Sequence, residues 1–142
     1  MEAVKQFHAK SPGTPHYTVS LLAVPTALAQ LGPAATNMIV SQVVPFPYRA
    51  GTSPLVRNFQ AAMKASNEKV FSHTRLEGYI DAKVLVHGLR GAGSPPSRER
   101  FIATLESSID LGGYVVNFKN GNRNGSGYTD LVHVDSEGHF VK

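Results

Sequence analysis

The residues best able to bind a metal or move a proton are six histidines: His8, His16, His73, His87, His133 and His139. A zinc site needs about four converging ligands at characteristic spacings. The histidines show no such spacing, and cysteine is absent, which removes thiolate sites and disulfides as well. Nucleophilic catalysis of the strand-to-helix kind would need a Gly-x-Ser-x-Gly elbow. The nearest match, "NGSGY" around Ser126, lacks that spacing and sits where a hairpin loop is expected. The Gly-rich run "NGNRNGSG" could cradle a phosphate only if a Gly-Lys-Ser/Thr ending opened a helix, and a strand pattern follows instead. The expectation is therefore a protein with no metal, no cofactor and no catalytic residue.

One side chain remains as a candidate for ligand contact. In "RLEGYIDAKVLVHGLRGAG", residues 75–93, an apolar helix pattern begins beside Tyr79. A tyrosine on such a helix is most often core with its hydroxyl reaching a partner. At the first turn of the helix it could equally form the wall of a pocket.

The elements that must position it follow from pattern and punctuation. "KQFHAKSPGTPH" reads as the end of a helix broken by Pro and Gly, and "YTVSLLA", residues 17–23, as a buried strand. "PTALAQLG" is a short helix with Pro25 near its start and Gly32 as its stop. "NMIVSQVVPFP" is a second strand ended by Pro45 and Pro47. Ser53 and Pro54 open a helix that places Leu55, Val56, Phe59, Ala62 and Met63 on one face. The Tyr79 helix is apolar most of the way round, a pattern of burial between layers, and Gly91 and Gly93 end it. Ser97 caps a third helix over "SRERFIATLESS". "GGYVVNFKN" and "GYTDLVHVD" are strands joined by "GNRNGS", and "DSEG" turns the chain toward "HFVK". The order is strand, helix, strand, three helices, then a β-meander, which makes the fold class α/β.

With 142 residues, 42% hydrophobic and 17% charged, the composition is that of one globular domain. No apolar run approaches the roughly 18 residues needed to span a bilayer. The start, "MEAVKQFHAKSPG", lacks a signal-peptide pattern. The net charge of +4 is scattered, and its thin clusters at Arg98, Arg100 and Lys119 to Arg123 do not make a nucleic-acid footprint.

The motifs in their order resemble the leucine/isoleucine/valine-binding protein family. "VSQVVPFP", "LEGYIDAKVLVHGLRGAG", "SRERFIATLESS" and "DLGGYVVNFKNGNRNGSGYTDLVHVDSEGHFVK" carry the resemblance, from near Tyr17 to the end. It implies part of a type I periplasmic-binding clamshell, with parallel-sheet sandwich pieces from two lobes and a terminal β-meander. Residues 1–45 would end a C-terminal-lobe segment, residues 46–110 would form a helical segment of the N-terminal lobe, and residues 111–142 would return to the C-terminal lobe. The chain would be the C-terminal fragment of a periplasmic, non-enzymatic substrate-binding component of an ABC importer. Its partners would be a small-molecule solute and a membrane permease, with no nucleic acid. Open strand edges would let the fragment form a homodimer.

The resemblance assigns ligand contact to Tyr79, with Glu77 at the rim. It places Ser20, or Leu21 beside it, where the family often holds an acid facing a ligand's ammonium. No Asp or Glu occurs between Glu2 and Glu68. A buried ammonium needs a carboxylate or several acceptors. An organic or aromatic acid is therefore expected as readily as an amino acid. The alternatives are a ligand-sensing domain of a receptor or regulator with the same fold, and a small α/β enzyme.

Overall fold

The computed structural model describes residues 1–22 and 24–142. Its elements in chain order are α1 (Glu2–Lys10), β1 (His16–Val19), α2 (Pro25–Leu31), β2 (Met38–Gln42), α3 (Pro54–Ala65), α4 (His73–Ala92), α5 (Arg98–Leu105), β3 (Ser108–Asp110), β4 (Val115–Asn117), β5 (Asp130–Val134) and β6 (Phe140–Val141). They divide into two compact units. Met1–Pro45 with Thr129–Lys142 make the first, and Phe46–Tyr128 make the second. The segment 111–142, expected to return as one piece, is shared between them: residues 111–128 lie in the second unit and 129–142 in the first.

The first unit is built on a sheet of order β1-β2-β5-β6. β1 and β2 are parallel, while β2–β5 and β5–β6 are antiparallel, so the sheet is mixed. Met38, Val40, Val132 and Val134 point to one face and are buried with Leu28, Leu31 and Ala35. The period of two sends Tyr17, Val19, Leu131 and His133 to the other face, which is exposed; Tyr17 is 72% accessible and Leu131 55%. β1 is shorter than expected. Ser20–Leu22 fold into a 3₁₀ turn, and Ala23, the last residue of the expected strand, lies outside the described residues. Val24 is extended (φ −78°, ψ 153°), the conformation that the following Pro25 imposes.

The second unit packs three helices. Ser53 and Ser72 cap α3 and α4, their hydroxyls accepting the N–H of Val56 at 3.3 Å and of Arg75 at 3.2 Å. Leu55, Val56 and Phe59 of α3 are buried, as are Leu76 and Ile80 of α4. Two glycines let α5 approach α4. A Cβ on Gly88 would stand 2.6 Å from Phe101 Cε2, and one on Gly91 would stand 2.3 Å from Thr104 Cγ2. The expectation that α4 is buried all round is corrected here. Its outer side, with Leu85 and Leu89, is exposed, because α3 and α5 pack on other sides of the helix.

The end of the chain also departs from expectation. β3 falls where the third helix was expected to end and pairs antiparallel with β4, with Ile109 opposite Val116. The expected pairing of β4 with β5 across "GNRNGS" does not form, because β5 pairs with β2 and β6. Side chains turn the loop back on itself instead. Asn117 Oδ1 accepts the Lys119 N–H, Asn122 Nδ2 donates to the Asn117 carbonyl, and the Asn117 N–H donates to the Gly125 carbonyl.

Candidate functional site

Tyr79 lies on the second turn of α4, not the first, because the helix begins at His73. Gly78 is an interior helical residue with open space around it rather than a helix start. The Tyr79 ring is half-buried and lies 5.7 Å from the Phe59 ring of α3. It lines a groove of about 430 Å³ within the second unit. Lys83, Val86, His87 and Arg90 continue the wall along α4, Leu55 and Asn58 come from α3, and Ser108–Gly112 close the far side. That volume lies in the range of small-molecule sites, about 300–1,000 Å³.

The groove is charged on both sides. Lys83 and Arg90 bring ammonium and guanidinium groups, and Asp110 faces the same space. Asp110 Oδ1 accepts the N–H groups of Gly112 at 2.9 Å and Gly113 at 2.7 Å, which fixes the turn after β3. Both glycines have positive φ, 97° and 88°, a backbone that side chains resist. This arrangement offers an aromatic wall and charges of both signs around a space the size of a small polar molecule.

The other sequence candidates do not join this groove. Glu77 is exposed on α4 and does not line it. Ser20 and Leu21 belong to the first unit, in the 3₁₀ turn after β1, with Ser20 half-buried and Leu21 82% accessible.

Two clusters went unnoticed in the sequence. Phe46, Tyr48 and His73 pack edge-on, with ring centroids 5.1 Å apart for Phe46–Tyr48, 5.7 Å for Tyr48–His73 and 6.0 Å for Phe46–His73. Burial pushes the Tyr48 phenol above its ordinary value. The "PFPY" run hinted at this cluster, but nothing in the chain pointed to His73 as its third member.

The second brings an acid close in the fold to the stretch between Glu2 and Glu68 that has none in sequence. β5 returns antiparallel to β2 and sets Asp130 directly opposite Gln42. The preceding row pairs Val19 with Ser41 and Ser41 with Leu131, so Gln42 and Asp130 end the sheet where β1 passes into Ser20. An acid thus stands at this end of the sheet, delivered from far along the chain.

The fold is α/β, in two compact units, and the comparisons place it in a family. The periplasmic binding protein family matches residues 1–138. The chain belongs to the periplasmic binding protein family. It is similar to a substrate-binding periplasmic protein from Ralstonia solanacearum, with 27% identity and a TM-score of 0.71 over 99% of this chain and 41% of that one. A possible leucine/isoleucine/valine-binding protein from Rhodopirellula baltica has 24% identity and a TM-score of 0.79, over 97% of this chain and 38% of its own. A branched chain amino acid ABC transporter from Thermus thermophilus with bound valine has 15% identity and a TM-score of 0.71, over 98% and 40%. The chain therefore spans about two-fifths of the length of these relatives. No curated protein sequence matches it.

Proposed function

We propose that this chain forms part of an extracytoplasmic solute-binding component of an ABC importer, in the branched-chain amino acid group, and does no catalysis. The observation that carries the reading is the family match over residues 1–138, joined to a fold in two compact units. The solute would be an amino acid or an organic acid, held by burial of its apolar part and by polar contacts that differ between bound and free states. Tyr79 is our candidate for an aromatic wall against the solute, supported by its half-buried ring at the groove. Ser20 and Leu21, in the first unit, and Glu77, on α4, are each further candidates for ligand contact. The permease of the importer would be the protein partner, and the periplasm the location. A thermal-shift screen with branched-chain amino acids and organic acids tests the reading. Stabilisation by members of either class supports it, and an unshifted Tm across both opposes it.

The exposed apolar side chains Tyr17, Val19 and Leu131 on one face of the first unit's sheet support self-association of the chain as it stands.

A further inference from the structure

We propose that Asn120 is a site of spontaneous covalent modification, where the side-chain amide is lost and isoaspartate or aspartate forms, while the fold protects Asn124 in the same loop. The inference rests on the loop after β4 and is independent of the solute-binding reading.

Of the chain's seven asparagines, two precede glycine: Asn120–Gly121 and Asn124–Gly125, both in "NGNRNGSG". A glycine nitrogen is well placed to attack a neighbouring side-chain amide, because no Cβ crowds it. Once Gly121 N has lost its proton to solvent base, it can bond to Asn120 Cγ and close a five-membered imide. The Cγ–Nδ2 bond breaks, and ammonia leaves. Water then opens the imide. Breaking the bond from Gly121 N to the main-chain carbonyl carbon of Asn120 gives isoaspartate, and breaking the new bond gives aspartate. Asparagine and water thus become an acid and ammonia, with nothing oxidised or reduced.

The structure sets the two steps apart. Asn120 has φ 56° and ψ 35°, in the left-handed region that asparagine tolerates, and both it and Gly121 are exposed. Among the described residues nothing hydrogen-bonds the Asn120 side chain, and nothing stands within 4 Å of a Cβ on Gly121. The hydrogen bond from the Asn122 N–H to the Lys119 carbonyl, at 3.1 Å, closes the turn. Breaking it frees ψ of Asn120 to bring Gly121 N to Cγ. At Asn124 the main chain is tied on both sides. Its N–H donates to Asn122 Oδ1 at 3.0 Å, its carbonyl accepts the Ser126 N–H at 2.8 Å, and the carbonyl of buried Gly125 accepts the Asn117 N–H at 2.7 Å. A Cβ on Gly125 would stand 3.1 Å from Phe118, so this glycine packs against that ring. Reaction there requires a larger local opening.

The product carries a new carboxylate between Lys119 and Arg123 and lowers the formal net charge of +4 by one. Isoaspartate also routes the main chain through Cβ and Cγ, which lengthens a turn that Asn122 Nδ2 ties to the Asn117 carbonyl at 2.6 Å. The loop is thereby loosened from the end of β4.

The test incubates the full chain at neutral and at mildly alkaline pH and follows each asparagine by peptide mapping and mass spectrometry. Methylation by an isoaspartyl methyltransferase tells isoaspartate from aspartate. Conversion is expected at Asn120, faster at the higher pH and roughly tenfold or more ahead of Asn124. In the chain unfolded in guanidinium chloride the two should convert at similar rates. Gly121→Ala should slow conversion at Asn120 by about tenfold or more and leave Asn124 unchanged. Asn120→Gln, which keeps an amide on a longer side chain, should abolish it, and an unchanged circular dichroism spectrum shows that the loss is chemical. Equal conversion at Asn120 and Asn124 in the folded chain, a ratio that unfolding leaves unchanged, or conversion at Asn120 no faster than at Asn122, which precedes Arg123, would overturn the proposal.

Discussion

The ring of Tyr79 rests 5.7 Å from that of Phe59, fixing it between the fully buried face of α3 and the groove beside α4. One side of the phenol therefore packs while the other remains available. Tyr79→Phe should leave the stability within about 1 kcal/mol of the parent's, since the ring contact is kept. Tyr79→Ala removes the ring and should cost about 3 kcal/mol at most, because the site is only half-buried. If the ring walls the solute, Tyr79→Ala also weakens solute binding beyond what Tyr79→Phe does. Equal binding by both variants, measured by calorimetry, would remove Tyr79 from the site.

Two glycines of α4 should respond in opposite directions to the same change. Gly78 has open space where a Cβ would go, so Gly78→Ala should stabilise by about 0.5–1 kcal/mol through helix propensity. At Gly88 the added carbon would stand 2.6 Å from Phe101 Cε2. Gly88→Ala should therefore destabilise by roughly 1–3 kcal/mol despite the same gain in propensity. Urea unfolding of the two variants checks both signs.

The turn between β5 and β6 should loosen in acid. Asp135 Oδ1 accepts the N–H groups of His139 at 2.8 Å and Glu137 at 2.9 Å. The His139 N–H is the chief cause that holds its carboxyl below the ordinary value of 3.8. A depressed carboxylate contributes stability that is present above its unfolded value and lost as pH falls through its folded one. The β6 amides should thus lose exchange protection below about pH 3.8, and Asp135→Asn should blunt that pH dependence. A turn whose protection is unchanged down to pH 2 would contradict this.

Self-association should follow from the exposed sheet face. Tyr17 and Leu131 lie on it at 72% and 55% accessibility. Light scattering should show a mass above 15.3 kDa that rises with concentration, and Tyr17→Lys with Leu131→Lys should return it to that of one chain. A single mass of one chain for the parent across a wide concentration range would contradict it.

Local signals predicted local structure well. The caps Ser53, Ser72 and Ser97 and the pattern of α3 concern neighbours within one turn, and Ser53 and Ser97 were legible in the sequence as helix starts. Positions set by distant strands were not. Asp130 comes to the end of β2 only because β5 returns across some ninety residues of chain, which no local pattern encodes. β4 and β5 each have strand character, but choosing their partners depends on the asparagine-held turns of the intervening loop. The apolar circumference of α4 was legible, whereas the side left open was fixed by where α3 and α5 pack. The groove at Tyr79 was anticipated as a wall only, since its charged members Lys83, Arg90 and Asp110 come from two separate elements.

The central proposal is that this chain is part of a solute-binding protein, and calorimetric titration of the protein with L-valine, L-leucine and isovalerate tests it most directly. The proposal predicts saturable binding at one site per chain for at least one of these solutes, matched by a rise in Tm. No saturable heat with any amino acid or organic acid, together with an unchanged Tm, would contradict it.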